Sequence, residues 1–109
     1  TLNEIAGQSG VVCSIEEAAI PIHDAVRSGC DVLGLDPLYL ANEGKMLVVV
    51  SPESAEAVLA ALHKTPGGEQ AAAIGHVSRA YPGKVVLKTY LGGTRILAKL
   101  TGAQLPRIC

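Results

Sequence analysis

The sequence closes on Leu105-Pro106-Arg107-Ile108-Cys109, and its final residue is the one best suited to covalent chemistry. A thiolate attacks acyl-type carbon and can later release the group it has taken. Pro106 disfavours carrying a helix into the tail, and chain ends stay mobile unless something ties them down. An exposed thiol is thus expected at Cys109, either as the working group or as a tolerated accident, and composition leaves both open. Cys13 sits in the aliphatic run VVCSI, and Cys30 recurs at helical spacing with Ile22, Val26 and Leu33. Both are expected in the core, where cysteine behaves as a small hydrophobe. Three cysteines without a CxxC pair argue against a disulfide framework and a structural zinc site. His23, His63 and His76 share no ligand spacing with one another or with the cysteines, so no metal site is expected.

Three polar stretches compete for a role. Gly92-Gly93-Thr94-Arg95 could form a backbone nest for phosphate, but it lacks the terminal GK[ST] of a P-loop and lies between two strand patterns. It reads as a hairpin turn. Ser14-Ile15-Glu16-Glu17 has the S-x-x-E form of a capping box, yet Pro21 leaves any helix there under two turns. Asp36, Asn42 and Glu43 flank LYLAN and are residue types that favour turns.

The elements that must position these residues follow from apolar periodicity. Leu2, Ile5 and Ala6 suit a short opening helix closed at Ser9-Gly10, and VVCSI at 11–15 suits a buried strand. A helix over about 22–33 is predicted between Pro21 and Gly34. LYLAN and KMLVVV read as two strands of a hairpin turning at Glu43-Gly44. Ser51-Pro52-Glu53 supplies a capping hydroxyl, a first-turn proline and an acid at the positive end of the helix dipole. Ala55, Val58, Leu59 and Leu62 give that helix its stripe, and it should end near Lys64. AAAIGHV, KVVLKTYL and TRILAKL then read as three strands, parted by Tyr81-Pro82-Gly83 and Gly92-Gly93. The resulting order is β-α-β-β-α-β with a further hairpin: an α+β class, partly ferredoxin-like, with a split β-α-β sheet and helices packed on one face.

Bulk properties narrow the partners. A chain of 109 residues that is 49% hydrophobic can close one core and bury about two-thirds of its extended surface. A net charge of −1 and only three aromatic residues, all tyrosine, supply neither a basic stripe nor stacking platforms for nucleic acid. MLVVV is far shorter than the roughly 20 residues needed to span a bilayer, so no membrane is expected. The cysteine usage fits a reducing cytoplasm. The sole methionine is Met46, and the chain is expected to be a domain cut from a longer protein.

DPLYLANEGK at 36–45, GGTRIL at 92–97 and the closing QLPRIC at 104–109 together resemble the C-terminal domain of the HypE family. These are the carbamoyl dehydratases of nickel-iron hydrogenase maturation, within the aminoimidazole ribonucleotide synthetase-like superfamily. The resemblance covers the whole chain, and PRIC is its most specific part.

The resemblance implies a function. In that family the terminal thiol receives a carbamoyl group from HypF. ATP then drives dehydration of the thiocarboxamide to a thiocyanate, and cyanide passes to a HypC-HypD complex that builds the iron centre. Carried over, the carrier is Cys109, and the acid of the ANEG turn, Glu43, is the base. The ATP and magnesium sites are expected in an N-terminal domain absent here, which leaves this chain alone inactive and without assigned cofactor-binding residues. A cytoplasmic homodimer is implied for the intact protein. Residues 1–100 would form the synthetase-like domain and 101–109 a flexible tail. The alternative is a regulatory small-molecule-binding or dimerisation module in which Cys109 is dispensable.

Overall fold

The computed structural model describes residues 1–79 and 83–99. Helix α1 spans Leu2–Ser9 and ends where Gly10, at φ 65°, donates its N–H back to the Ala6 carbonyl, a left-handed stop that glycine adopts without steric cost. Strand β1 follows at Val12–Glu16 and becomes the centre of the sheet. Helix α2 runs Asp24–Leu33 and closes in the same way at Gly34, inside the predicted bounds. Pro52–Ser54 forms a 3-10 turn that leads into helix α3 at Ala55–His63, with Lys64 as its C-cap. The Ser51 hydroxyl meets Ser54 Oγ at 3.2 Å and caps no backbone N–H, so the expected side-chain cap is absent. The Ser51 carbonyl accepts the Ser54 N–H instead.

Strands β2 (Gly75–Ser78), β3 (Lys84–Lys88) and β4 (Thr94–Leu97) complete a four-stranded sheet in the order β2-β1-β3-β4. β1 lies antiparallel to β2 and parallel to β3, and β3 turns back antiparallel into β4. A parallel neighbour needs a long crossover, and the segment from η-turn Glu17–Ala19 to Ser78 supplies it. The result is a mixed α+β sheet centred on β1, whose parallel partner β3 is its direct neighbour. The register pairs Cys13 with Val85 and Ile15 with Leu87, which aligns the inward-facing positions of both strands. Together with Ala6 of α1 these four side chains form the core cluster, and Leu2, Val11, Ile20, Leu38, Ile74 and Leu97 pack around it. At β2 the approach is close: a Cβ on Gly75 would collide with the Ser14 carbonyl oxygen.

The predicted hairpin of LYLAN and KMLVVV does not form among the described residues. Pro37–Tyr39 winds into a 3-10 turn, and residues 43–50 make no backbone hydrogen bond to the described chain. Met46, Leu47, Val48, Val49 and Val50 are all exposed. The local reason is the Asp36 side chain, which takes the Leu38 N–H and, with proline at the next position, sets a turn where an extended strand was expected. Without that first strand, KMLVVV has strand-like residues and no partner, and a strand is stabilised by its neighbours. The expected turn at Tyr81-Pro82-Gly83 lies mostly outside the described residues, as do Leu100 at the end of TRILAKL and the 101–109 tail. Among the described residues no helix is long and apolar enough to cross a membrane.

Candidate functional site

The segment that carries Glu43 starts at Asp36. Oδ1 of Asp36 accepts the Leu38 N–H at 3.0 Å, and its carbonyl accepts the Tyr39 N–H at 3.0 Å. Leu40 donates to the Pro37 carbonyl at 3.3 Å. Asn42 Nδ2 then donates to the Leu40 carbonyl at 3.0 Å. Consecutive local bonds thus stiffen the backbone from Asp36 to Asn42, and Leu38 anchors it by packing against the core cluster. Glu43 comes next and is exposed, followed by Gly44 at φ 76°. A carboxylate presented in the open can take a proton from a group brought to it.

The other oxygen of Asp36 reaches across the fold. Oδ2 accepts from Arg95 Nη2 on β4 at 2.9 Å, and Glu17 Oε2 lies 4.0 Å from the same nitrogen. The hydrogen bond to Asp36, with the charge of Glu17 behind it, raises the guanidinium pKa further above its ordinary value. Glu17 also accepts the Tyr90 N–H through Oε1 at 3.2 Å. Arg27 of α2 stacks its guanidinium 5.6 Å from the centroid of the Tyr90 ring, within cation-π range. Glu17, Arg27, Asp36 and Tyr90 rim a cleft of about 100 Å³ that Leu38 and Ile20 line from the apolar side. The cleft lies at the end of the sheet where β1 and β3 terminate and β4 begins.

Sequence reasoning missed this constellation. Glu17 was visible only as part of a capping-box pattern, and that box does not form, because Ser14 lies within β1 and the 3-10 turn at Glu17–Ala19 has no side-chain cap. Arg95 was visible only as part of GGTR. The stretch is indeed a hairpin turn: Gly92, at φ 84°, donates to the Thr89 carbonyl at 3.0 Å, and Thr89 donates to the Gly93 carbonyl at 2.8 Å. With the Gly92 N–H committed internally, the turn does not offer the free row of donors that a phosphate nest requires. The only sequence signal for the cluster was unlike charge at distant positions, which local spacing does not reveal.

Cys109, the predicted carrier, lies outside the described residues, so its placement relative to Glu43 is left to experiment. Cys13 and Cys30 are both buried free thiols, as expected. Burial pushes the Cys13 thiol pKa up, which lowers its thiolate fraction and its reactivity. The histidines stand apart: His23 precedes α2, His63 Nε2 contacts the Ala71 carbonyl at 2.7 Å, and His76 sits on β2 opposite Ser14. Among the described residues no group of three His, Cys, Asp or Glu is arranged to hold a metal ion.

A mixed sheet, a central strand near the start of the chain and glycine-closed helices define an α+β domain, and comparison with known proteins places it. The chain belongs to the family described as AIR synthase related protein, C-terminal domain, whose profile matches residues 1–88. It is 55% identical over 109 residues to the carbamoyl dehydratase HypE of Rhizobium leguminosarum bv. viciae, covering 100% of this chain and 31% of that protein. The HypE of Azotobacter vinelandii is 49% identical over the same 109 residues, which are 32% of its length. The chain thus spans about a third of the curated relatives it matches. A crystal structure of the hydrogenase maturation protein HypE superposes with a TM-score of 0.90 at 55% identity, covering 99% of this chain and 36% of that one. A HypE structure in complex with ATP gives 0.88 at 54% identity, covering 99% and 33%. A HypE-HypF complex gives 0.83 at 37% identity, covering 91% and 32%.

Proposed function

We propose that this chain is the C-terminal domain of an ATP-dependent carbamoyl dehydratase that carries its substrate on Cys109. The observation that carries the reading is where the similarities end. The broad family profile stops at residue 88, whereas the match to HypE, at 55% identity, spans all 109 residues and so reaches the position of Cys109. The match to the dehydratases thus extends past the family profile, through β4 to the last residue of the chain.

In this reading the Cys109 thiolate attacks the carbamoyl carbon delivered by HypF and forms an S–C(=O)NH₂ group. Sulfur suits the task because it accepts the acyl carbon and later releases cyanide to another acceptor. A tail on a short tether can visit a transferase, a dehydration site and a receiving complex in turn. ATP, with magnesium, supplies the phosphoryl group that makes the carboxamide oxygen a leaving group. Its binding elements are assigned to the part of the full-length protein beyond this chain, since the Gly92-Gly93 turn here is bonded to itself. Phosphorylation of the oxygen with loss of one nitrogen proton gives S–C(O–PO₃)=NH, and Glu43 takes the second nitrogen proton as the carbon–oxygen bond breaks and inorganic phosphate leaves, giving S–C≡N on Cys109. The cyanide passes to HypC-HypD and becomes a ligand of the nickel-iron hydrogenase centre. The intact protein would act as a cytoplasmic homodimer, with this chain alone inactive.

Glu43→Gln in the full-length protein tests the chemistry. Glutamine keeps the size and the turn but cannot accept the proton, so dehydration should slow by roughly 100- to 10,000-fold. Loading by HypF needs only the thiol and should survive. Mass spectrometry of the C-terminal peptide should therefore find the carbamoyl adduct accumulating in the presence of magnesium-ATP. Conversion at the wild-type rate would remove Glu43 from the mechanism.

A further inference from the structure

Glu43 belongs to a weakly tethered part of the fold. Residues 43–50 make no backbone hydrogen bond to the described chain, and all are exposed. What fixes the position of Glu43 is the segment just before it. That segment, 36–42, is stiffened by its own hydrogen bonds. Among the described residues it meets the rest of the domain through the Leu38 side chain and through a long-range hydrogen bond, Asp36 Oδ2 to Arg95 Nη2 at 2.9 Å. Asp36 is thus bonded on both sides, with Oδ1 setting the turn and Oδ2 fastening that turn to β4.

The geometry points to Asp36 and Arg95 as positioning residues for dehydration: a clasp that locks the Glu43 segment to the strand from which the chain continues to Cys109. This inference rests on the reading of Glu43 as the base. The base end of the reaction is mounted on the clasp. One partner precedes the base by a few stiffened residues, and the other sits on β4, the last strand among the described residues. A group transferred within one tethered molecule reacts at a rate set by how well the reacting atoms are held, and small misplacements are costly. The pair is also poorly suited to a purely stabilising role. The Arg95 side chain is 43% exposed and that of Asp36 31%, and partly exposed ion pairs contribute little to folding. Glu17 reinforces the arrangement from the third side, 4.0 Å from the same nitrogen.

The test uses full-length protein loaded on Cys109 by HypF, followed by a single turnover with magnesium-ATP. Asp36→Asn keeps an Oδ1 acceptor for the Leu38 N–H while removing the charge that Arg95 reads. Arg95→Met keeps the aliphatic stem and removes the guanidinium. Each should slow conversion of the carbamoyl adduct by about 10- to 100-fold, the scale on which misplaced reacting groups lose rate, with the rate of HypF loading unchanged. The double variant should be no slower than either single one, because one contact is lost in all three. Arg95→Lys, which still brings a cation to Asp36, should recover most of the rate, a rescue that a lost packing contact would not show.

Wild-type turnover in Asp36→Asn and Arg95→Met, with Glu43→Gln inactive, would overturn the clasp and leave the base in place. Wild-type turnover in Glu43→Gln would overturn both readings. Equal losses in loading and turnover, with a melting temperature lowered by more than about 10 °C, would mark the pair as structural and overturn the clasp. Multiplying rate losses in the double variant would do the same.

Discussion

The two thiols among the described residues are both buried. Cys13 is 3% exposed and Cys30 4%, and burial holds the Cys13 thiol protonated to higher pH than a free thiol. Its shift also carries a stability consequence. Below the free-thiol pKa of about 8.5 both the folded and the unfolded chain hold that proton and nothing is lost. Above it the unfolded chain releases the proton first, so the contribution declines as pH rises. Brief alkylation of the native full-length protein at pH 8 should place the label on the C-terminal peptide, with Cys13 and Cys30 reacting only after denaturation. Faster labelling of either core cysteine would contradict the burial described here. Cys109→Ala should abolish cyanide formation and leave the melting temperature within about 2 °C of wild type, since surface substitutions rarely move stability by more than about 0.5 kcal/mol.

At the scale of elements, the sheet depends on one position with no room for a side chain. Gly75 pairs with Ile15, and any Cβ there would strike the Ser14 carbonyl. Gly75→Ala should therefore force β2 away from β1 and cost about 2 kcal/mol or more, read as a lower urea midpoint with an unchanged slope. Helices α1 and α2 were legible in the sequence because their stop signals are local, a glycine at the end of each apolar stripe. β1 and β3 were legible because an aliphatic run between turn residues has few other uses. KMLVVV shows the limit of that logic. Its composition states a preference for extended backbone, but pairing is a property of two segments, and the candidate partner had already been drawn into a turn by Asp36. The site was legible in proportion to its locality. Cys109 stood out by its position at the chain's end, but its role, like that of Glu43, came only through family resemblance, and the Asp36–Arg95 contact links residues too far apart for spacing to suggest it.

Taken whole, the described residues present a candidate base, and their glycine-rich turn at Gly92-Gly93 is bonded to itself rather than open to a phosphate. Calorimetric titration of the 109-residue chain with magnesium-ATP should show no binding in the micromolar range, and micromolar affinity would relocate the nucleotide site to this domain. The sheet also sets an order of events in time. β1 is made well before its parallel neighbour, which begins at Lys84, so Cys13 waits for Val85. At about 5–20 residues per second, translation leaves that gap open for roughly 4–15 s. Throughout it, Val12, Cys13 and Ile15 have no core to enter, because the Val85 and Leu87 side chains that complete it have not been made. Pairings so distant in sequence also slow folding after release. A chain truncated after Ser78 should show no cooperative melting transition, and a nascent chain of that length should be protease-sensitive until β3 clears the ribosome. The domain must therefore close nearly all at once, when its N-terminal strand finally meets its late-made partner.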